Sequence, residues 1–225
     1  MKQELGWFMP DEEEHLTGWM RQVNVKRDGY LQYQYSKYEE ALKWTSRRFS
    51  AIDIGANIGL WSVNMAKDFD ILHAFEPVPM FLECWHKNMD TQVYAKANYI
   101  CHPVALGAKT GVVAMHNDYK NSYGDTFVET KAKPGNIAKE VSMRTLDSFE
   151  LKGIDLIKID CEGYEYAVLQ GAEKTIRREK PCIIVEQKPG KGSTYGYDDL
   201  AAVELLRAWG AELRAEISRD FIFSW

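Results

Sequence analysis

The residues best suited to chemistry lie in one short stretch, Lys158-Ile-Asp160-Cys-Glu162. Side chains alternate along a strand, so Lys158 and Asp160 would share one face. Asp160 would then end a buried strand, at the sheet edge where open α/β proteins place their ligands. A carboxylate there can receive a hydroxyl proton, and a nearby lysine can stabilise developing charge. Asp160, Glu162 and Glu186 are therefore candidate catalytic bases, unranked by the sequence, with Lys158 as their electrostatic partner.

Two other interpretations of these acids stay open. Lys158 and Asp160 could form only a structural ion pair, or Asp160 could meet the ammonium group of a ligand. Oxygen ligands of this kind suit magnesium or calcium, but no spacing fixes a third ligand, so we expect no metal. Glu165, at the start of the next helix, is expected to be a helix-start acid.

A second candidate site is the turn Asp53-Ile-Gly55-Ala-Asn-Ile-Gly59, between a predicted strand and a predicted helix. Gly55 can adopt a positive φ and lets a ligand approach the backbone, while Gly59 leaves room for close packing. The turn is neither G-x-G-x-x-G nor a P-loop, which counts against a pyrophosphate site. Asp53 would repel phosphate and would suit a cationic amino acid or sulfonium. An ordinary turn with packing glycines is the alternative.

Glu76 ends the next predicted strand, 23 residues after Asp53. In sheets of this kind an acid at that position accepts hydrogen bonds from both hydroxyls of a ribose. The alternative is a solvated carboxylate at a strand end. Taken with the glycine turn, Glu76 predicts a cofactor that contains adenosine and carries a positive charge.

Strands and helices alternate in a way that brings these residues to one sheet edge. Apolar runs predict strands at 49–54, 71–75, 98–101, 154–160, 181–186, 212–217 and 221–225. Helical spacing predicts helices at 38–44, 58–67, 81–89, 164–178 and 198–210. The last two strands are too close for a crossover helix and should be antiparallel. Residues 108–143 predict an irregular insertion or hairpin, with its best strand at 112–115.

Bulk properties exclude several protein classes. The chain has 225 residues, 45% of them hydrophobic, and a net charge of −5, which suits one large globular domain rather than a nucleic-acid-binding surface. Its four cysteines are widely spaced and form no zinc or disulfide pattern. No apolar run is long enough to span a membrane, and the N-terminus does not resemble a secretory signal. We therefore expect a cytoplasmic protein with no membrane partner.

Several motifs resemble those of the FkbM-type methyltransferases. The matching stretches are 53–62, 74–78, 145–147, 154–165, 171–172 and 181–186. Together they span about residues 49 to 187, and their order makes the resemblance specific. The first 48 residues are less typical of the family.

The resemblance implies a Rossmann-like class I methyltransferase fold of the α/β class, with a mostly parallel seven-stranded sheet, helices on both faces and an antiparallel C-terminal strand. It implies S-adenosyl-L-methionine as the cofactor and a hydroxyl acceptor on a sugar, glycan or small polar metabolite. We divide the chain into an N-terminal extension, 1–48, as a lid or acceptor-site segment, and a methyltransferase domain, 49–225. The expected cofactor-binding residues are Asp53, Gly55, Ala56, Asn57, Gly59, Glu76, Pro77, Val104, Ala105 and Asp160.

Alternative functions remain at this point. An RNA ribose 2′-O-methyltransferase would need a lysine–aspartate–lysine–glutamate tetrad, which Lys37, Asp160, Lys188 and Glu216 could imitate. The acidic net charge opposes that function, because phosphate contacts supply much of the affinity for nucleic acid. A non-catalytic cofactor-binding relative is a further alternative. A nicotinamide dehydrogenase is disfavoured by the missing third glycine.

Loops are expected to shape the acceptor pocket, because connecting segments carry specificity. The candidates are the N-terminal segment, the insertion at 108–143 and the loop at 188–195. His15 could belong to a flexible lid over the acceptor site, but a solvated acidic N-terminal helix is the favoured interpretation. His102 could line the pocket, with ordinary packing as its alternative.

Overall fold

A seven-stranded sheet with helices on both faces forms the centre of the protein. The computed structural model describes residues 1–93, 98–117, 126–129 and 139–225. The described strands are β1 (Lys2–Glu4), β2 (Trp7–Met9), β3 (Lys26–Arg27), β4 (Tyr30–Leu31), β5 (Ser50–Ile54), β6 (Ile71–Phe75), β7 (Asn98–His102), β8 (Ala105–Leu106), β9 (Gly111–Asn117), β10 (Thr126–Glu129), β11 (Lys139–Arg144), β12 (Ile154–Ile159), β13 (Cys182–Glu186), β14 (Glu212–Ile217) and β15 (Asp220–Ser224). The described helices are α1 (His15–Val23), α2 (Tyr35–Lys43), α3 (Leu60–Asp68), α4 (Pro79–Gln92), α5 (Glu165–Gln170), α6 (Glu173–Glu179) and α7 (Ala201–Ala208), with short 3₁₀ helices at Leu146–Phe149 and Gly192–Tyr195.

The order of strands in the sheet places a ligand site at its centre. The order is β14-β15-β13-β12-β5-β6-β7, and β15 pairs antiparallel with both of its neighbours while the other pairs are parallel. After β7 the chain returns to the other side of β5, so the topological switch point lies between β5 and β12. Ligands of open α/β sheets bind outside the carboxyl ends of the strands at such a point. The predicted seven-stranded, mostly parallel sheet is confirmed.

Two apolar layers cover the sheet. The central strands β5, β12, β13 and β15 are buried along their whole length, as expected when helices cover both faces. Ile157 and Ile159 belong to the layer under α5, α6 and α7, whereas Leu156 faces α2, α3 and α4. Because side chains alternate, Lys158 shares the second face, as predicted.

The first 48 residues pack on this second face as a further layer. Trp7 and Met9 of β2 are fully buried in the same apolar cluster as α3 and α4. Tyr38 of α2 meets Trp61 edge-on at 6.0 Å and donates a hydrogen bond to Asp68 at 2.9 Å. This segment is therefore packed against the helices of the sheet, which fixes the side chains that it turns towards the cleft.

The single helix predicted at 164–178 is wrong: the chain forms α5 and α6 with a break at Gly171. The main chain of Gly107 lies so close that a Cβ on Gly171 would be 2.0 Å from its oxygen. The carbonyl of Gly171 instead accepts a hydrogen bond from the backbone N–H of Asp147 at 3.0 Å. The Asp147 carboxylate accepts the N–H groups of Lys174 and Thr175 and so caps α6.

The insertion at 108–143 forms part of a second, smaller sheet. Its order is β10-β9-β11-β8, with β9 antiparallel to both β10 and β11. The predicted strand at 112–115 lies within β9, and a hairpin-like pairing is confirmed; residues 118–125 and 130–138 lie outside the described residues. Among the described helices, none has the length and apolar character needed to cross a bilayer.

Candidate active site

A cleft opens at the carboxyl ends of β5, β6 and β12, at the switch point of the sheet. One end is formed by Gly55, Ala56, Asn57, Glu76 and Pro77, beside an apolar wall of Val104, Ala105, Leu106, Met115 and Val128. The other end is formed by Lys158, Asp160, Glu162, Lys188 and Tyr33. The cleft therefore joins the two sets of residues that the sequence singled out.

The glycine turn is held tightly between two strands. The N–H groups of Gly55 and Ala56 both donate to the carbonyl of Phe75, at 3.0 and 3.1 Å. Gly55 has a φ of +78°, and a Cβ there would lie 1.9 Å from the backbone oxygen of Asp160. Asn57 follows in the left-handed region, at a φ of +51°. Only glycine fits the first position, and its backbone faces the open cleft.

Glu76 is anchored so that its carboxylate points into the same end of the cleft. One oxygen accepts the N–H of Asn57 at 2.9 Å, and the other accepts the N–H of Val78 at 2.8 Å. A carboxylate offers about four lone-pair positions, so each oxygen can still accept one hydroxyl. Burial raises the pKa of Glu76 to about 7, although the two backbone hydrogen bonds oppose this shift. The site therefore presents a pair of acceptors spaced for a vicinal diol.

Asp53 lies behind the glycine turn rather than in the wall of the cleft. Its Oδ2 accepts a hydrogen bond from the Ser62 hydroxyl at 2.6 Å, and Ser62 in turn accepts one from Trp85 Nε1 at 2.8 Å. Burial raises the pKa of Asp53, against the nearby charge of Lys158. Gly59 also lies outside the cleft wall, where a Cβ would be 2.9 Å from the Trp85 ring. Both residues support the turn from behind.

Beside the glycine turn, Asp160 is held as a carboxylate between cations. Lys158 Nζ lies 3.1 Å from Asp160 Oδ2 and 5.0 Å from the centre of the Trp61 ring. Burial opposes ionisation of Asp160, but the charges of Lys158 and Lys188 outweigh it and keep its pKa below the ordinary range. The negative charge of Asp160, followed by that of Asp53, raises the pKa of Lys158 despite its burial, so Lys158 stays an ammonium.

Glu186 and Glu162 complete the acidic cluster. Carboxylate oxygens of Asp160, Glu162 and Glu186 all lie within 4.8 Å of one another. Burial, followed by the charge of Asp160, raises the pKa of Glu186, so Glu186 takes up a proton more readily than Asp160 does. Lys188 Nζ lies 2.8 Å from Glu186 and 3.2 Å from Glu162, and Lys191 Nζ lies 3.0 Å from Glu162. The Lys188 ammonium group thus lies between the carboxylates of Glu162 and Glu186.

Glu165 holds the loop that carries this cluster. Its buried carboxylate accepts the N–H groups of Cys161 and Gly163 at 2.9 and 3.0 Å, and the Gln187 side chain donates to it at 3.2 Å. Burial raises the pKa of Glu165 to about 7. The helix-start acid expected from the sequence is therefore also a tie between the ends of β12 and β13.

The N-terminal segment contributes three side chains to the cleft: His15, Leu16 and Tyr33. His15 starts α1 and is exposed at the cleft mouth, while Tyr33 reaches the Asp160 cluster. Sequence reasoning named the segment but did not single out Tyr33, because a run of tyrosines has no spacing that marks one of them as functional.

Residues 53–213 match the model of the methyltransferase FkbM domain. The chain belongs to the FkbM methyltransferase family. A curated relative, Methyltransferase 1 of Beauveria bassiana (strain ARSEF 2860), is 25% identical, and the match covers 73% of each chain. This assignment confirms the predicted enzyme class, a methyltransferase.

Solved structures support the class I methyltransferase fold of this FkbM domain. Methyltransferase FkbM from Methylobacillus flagellatus KT is similar at a TM-score of 0.55 and 17% identity, over 90% of this chain and 49% of that one. The present chain thus spans about half the length of that protein. A Streptococcus mutans protein in complex with SAH is similar at a TM-score of 0.52 and 10% identity, over 89% of this chain and 99% of that one.

The structure does not favour two other interpretations raised by the sequence: the RNA-methyltransferase tetrad and a place for His102 in the pocket. Lys37 does not reach the cleft wall; it is buried in an ion pair with Asp220. Glu216 lies on the edge strand β14, half exposed, and faces Arg219 at 3.9 Å. The four residues of the imagined tetrad are therefore not brought together. His102 stacks on Phe75 at 4.6 Å outside the cleft wall, and burial lowers its pKa to about 4.

Proposed function

We propose that this methyltransferase uses S-adenosyl-L-methionine to methylate a hydroxyl group on a sugar, glycan or small polar metabolite. The observation that carries the proposal is the Asp160 carboxylate, which lies in the same cleft as the glycine turn and Glu76. The donor end and the proton-accepting end of the cleft are thus contiguous, as a direct transfer between two bound molecules requires.

The residues at the donor end fit S-adenosyl-L-methionine. Gly55 lines the cleft without a side chain, where a Cβ would lie 1.9 Å from the Asp160 backbone oxygen, and Glu76 offers two acceptors to the ribose hydroxyls. Val104, Ala105 and Pro77 would flank the adenine with apolar surface. Asp160 would face the cationic part of the donor, and Asp53 would add negative charge from behind the turn.

The residues at the other end fit the transfer of a methyl group to oxygen. When bound, the donor supplies a methyl carbon that a hydroxyl oxygen attacks in line as the carbon–sulfur bond breaks. The hydroxyl proton becomes acidic as the new bond forms, so an ionised carboxylate such as Asp160 can receive it. Lys158 stays charged, the raised pKa of Glu186 favours its protonated form, and Glu162 is engaged by two lysines. Asp160 is therefore the preferred base among the three acids.

The charges around Asp160 support a sugar-like acceptor. Lys158, Lys188 and Lys191 each face a carboxylate, so an RNA phosphate would have to displace that partner to bind. A neutral polyhydroxyl acceptor can instead donate to the carboxylates and accept from the ammonium groups without breaking these pairs. This favours a sugar-like acceptor over RNA.

The test uses methyl-labelled S-adenosyl-L-methionine with two acceptor pools, a glycan and nucleotide-sugar extract and total RNA. Label should enter the carbohydrate pool with the wild-type protein and be lost with Asp160→Asn, while the exposed-site control Asp70→Asn keeps the wild-type rate. Label found only in ribonuclease-sensitive material would overturn the acceptor class. SAH binding without label in either pool would contradict the proposal and favour a non-catalytic relative.

A further inference from the structure

Tyr33 is the aromatic residue that the N-terminal segment inserts beside the catalytic cluster. It lies between β4 and α2, and its ring packs against Trp19 with centres 5.0 Å apart. Its phenol lies within the electrostatic reach of Asp160, Lys188 and Glu186. It also lines the cleft that contains Asp160. A residue from outside the matched family domain therefore borders the space where the acceptor hydroxyl must lie.

Buried polar contacts fix the backbone on both sides of Tyr33. On one side, the Gln32 side chain donates to the Tyr30 carbonyl at 2.9 Å and accepts from Asn64 of α3 at 2.8 Å. On the other, Gln34 adopts the left-handed conformation at a φ of +54° and starts α2. Lys37, one turn later, is paired with the buried Asp220. The position of Tyr33 is thus determined by packing and not by a loose loop.

The chemistry of the phenol suits hydrogen-bond donation. Burial and neighbouring charges, and no hydrogen bond from a described residue, are what act on the pKa of the Tyr33 phenol. Burial, followed by the charge of Asp160, raises the pKa of Tyr33, so the phenol keeps its proton across the neutral range. It is therefore a donor and not a base. A phenol donor and a carboxylate that line one cleft can both contact one oxygen atom of a bound acceptor.

We propose that Tyr33 binds the acceptor, donating its hydrogen bond to the oxygen that becomes methylated, and this rests on the proposed function. One lone pair of that oxygen accepts from Tyr33, its proton points to Asp160, and its second lone pair faces the methyl carbon. In the transfer the oxygen–carbon bond forms, the carbon–sulfur bond breaks and the proton passes to Asp160. Tyr33 keeps its own proton throughout and sets the orientation of the attacking oxygen.

The test is Tyr33→Phe, which removes the hydroxyl and keeps the ring against Trp19. The probe is the rate at which label passes from methyl-labelled S-adenosyl-L-methionine into the glycan and nucleotide-sugar extract, at limiting extract. We expect about a tenfold loss of rate, the size typical of one hydrogen bond to a reacting group in a buried site. SAH affinity by calorimetry and the unfolding temperature should stay at wild-type values. Tyr35→Phe, two residues away on α2, is the matched control and should keep the full rate.

The outcomes separate this proposal from the one on which it rests. A Tyr33→Phe protein that transfers label at the wild-type rate would overturn the role of Tyr33 and leave the proposed function intact. A wild-type protein that labels neither the extract nor RNA would overturn both. The pH–rate profile of Tyr33→Phe should keep the wild-type shape, because Asp160 receives the proton. A profile shifted by the substitution would show that Tyr33 titrates, contrary to the proposal.

Discussion

The carboxyl group of Glu76 should make donor binding depend on pH. Burial raises its pKa to about 7, so it is mostly protonated at pH 6 and mostly ionised at pH 8. A ribose diol presents two hydroxyl donors, and only the ionised carboxylate can accept both while holding the Asn57 and Val78 N–H groups. Binding of SAH should therefore strengthen as the pH rises and should release a proton below pH 7.

The magnitude follows from the ionised fraction. With a pKa of about 7, about one tenth of the carboxyl is ionised at pH 6 and about nine tenths at pH 8. The Kd for SAH should therefore be about tenfold higher at pH 6 than at pH 8. Glu76→Gln removes the charge and one acceptor, a loss of about 1.5–3 kcal/mol, so the Kd at pH 8 should rise roughly 10- to 150-fold.

Isothermal titration calorimetry at pH 6, 7 and 8, in buffers of different ionisation enthalpy, measures both the affinity and the proton release. Glu76→Gln should abolish the dependence on pH, whereas the exposed-site control Glu83→Gln on α4 should retain it. Glu165 also has a pKa raised to about 7 and provides the competing explanation. A slope that persists in Glu76→Gln, or a wild-type Kd that is flat from pH 6 to 8, would refute the assignment of Glu76 to the ribose.

Three further substitutions test the supports of the site. Gly55→Ala should abolish SAH binding in calorimetry and lower the unfolding temperature. The new Cβ would lie 1.9 Å from the Asp160 oxygen, and the left-handed backbone alone costs about 1–2 kcal/mol. Unchanged binding would contradict this steric argument. Glu165→Ala should lower the free energy of unfolding in urea by at least about 2 kcal/mol, because the N–H groups of Cys161 and Gly163 lose their acceptor. A loss below about 0.5 kcal/mol would show that water replaces the Glu165 carboxylate as acceptor. Lys37→Met should lower the free energy of unfolding by about 3–5 kcal/mol in the same assay, because it leaves Asp220 buried without its partner. Lys37→Met combined with Asp220→Asn should recover part of that loss. Additive effects would mean that the two residues are not coupled.

The central sheet could be predicted from the sequence because its strands are short apolar runs closed by turn residues. β6 spans Ile71–Phe75 as expected, and β5 and β13 each begin one residue later than predicted. The acidic residues that directly follow β6 and β12 then fall at a common edge by the geometry of the sheet. Glu76 and Asp160 could be placed in one cleft by this reasoning alone.

Other features depend on contacts between distant segments and have no local signal. The break between α5 and α6 is imposed by the main chain of Gly107, which no helical pattern around Gly171 reveals. Asp53 lies behind the turn, where Ser62 in the first turn of α3 donates a hydrogen bond to its carboxylate. Tyr33 reaches the cleft only because the N-terminal segment packs on α3 and α4. Periodicity reports which face is buried, but not which neighbour buries it.

We infer that the cleft between the glycine turn and Asp160 holds the methyl donor. A crystal structure with bound SAH would test this placement directly. We expect both ribose hydroxyls within hydrogen-bond distance of the Glu76 carboxylate, the adenine beside Val104 and Ala105, and the sulfur facing Asp160. SAH bound elsewhere, or bound here with its ribose turned away from Glu76, would contradict this placement of the donor.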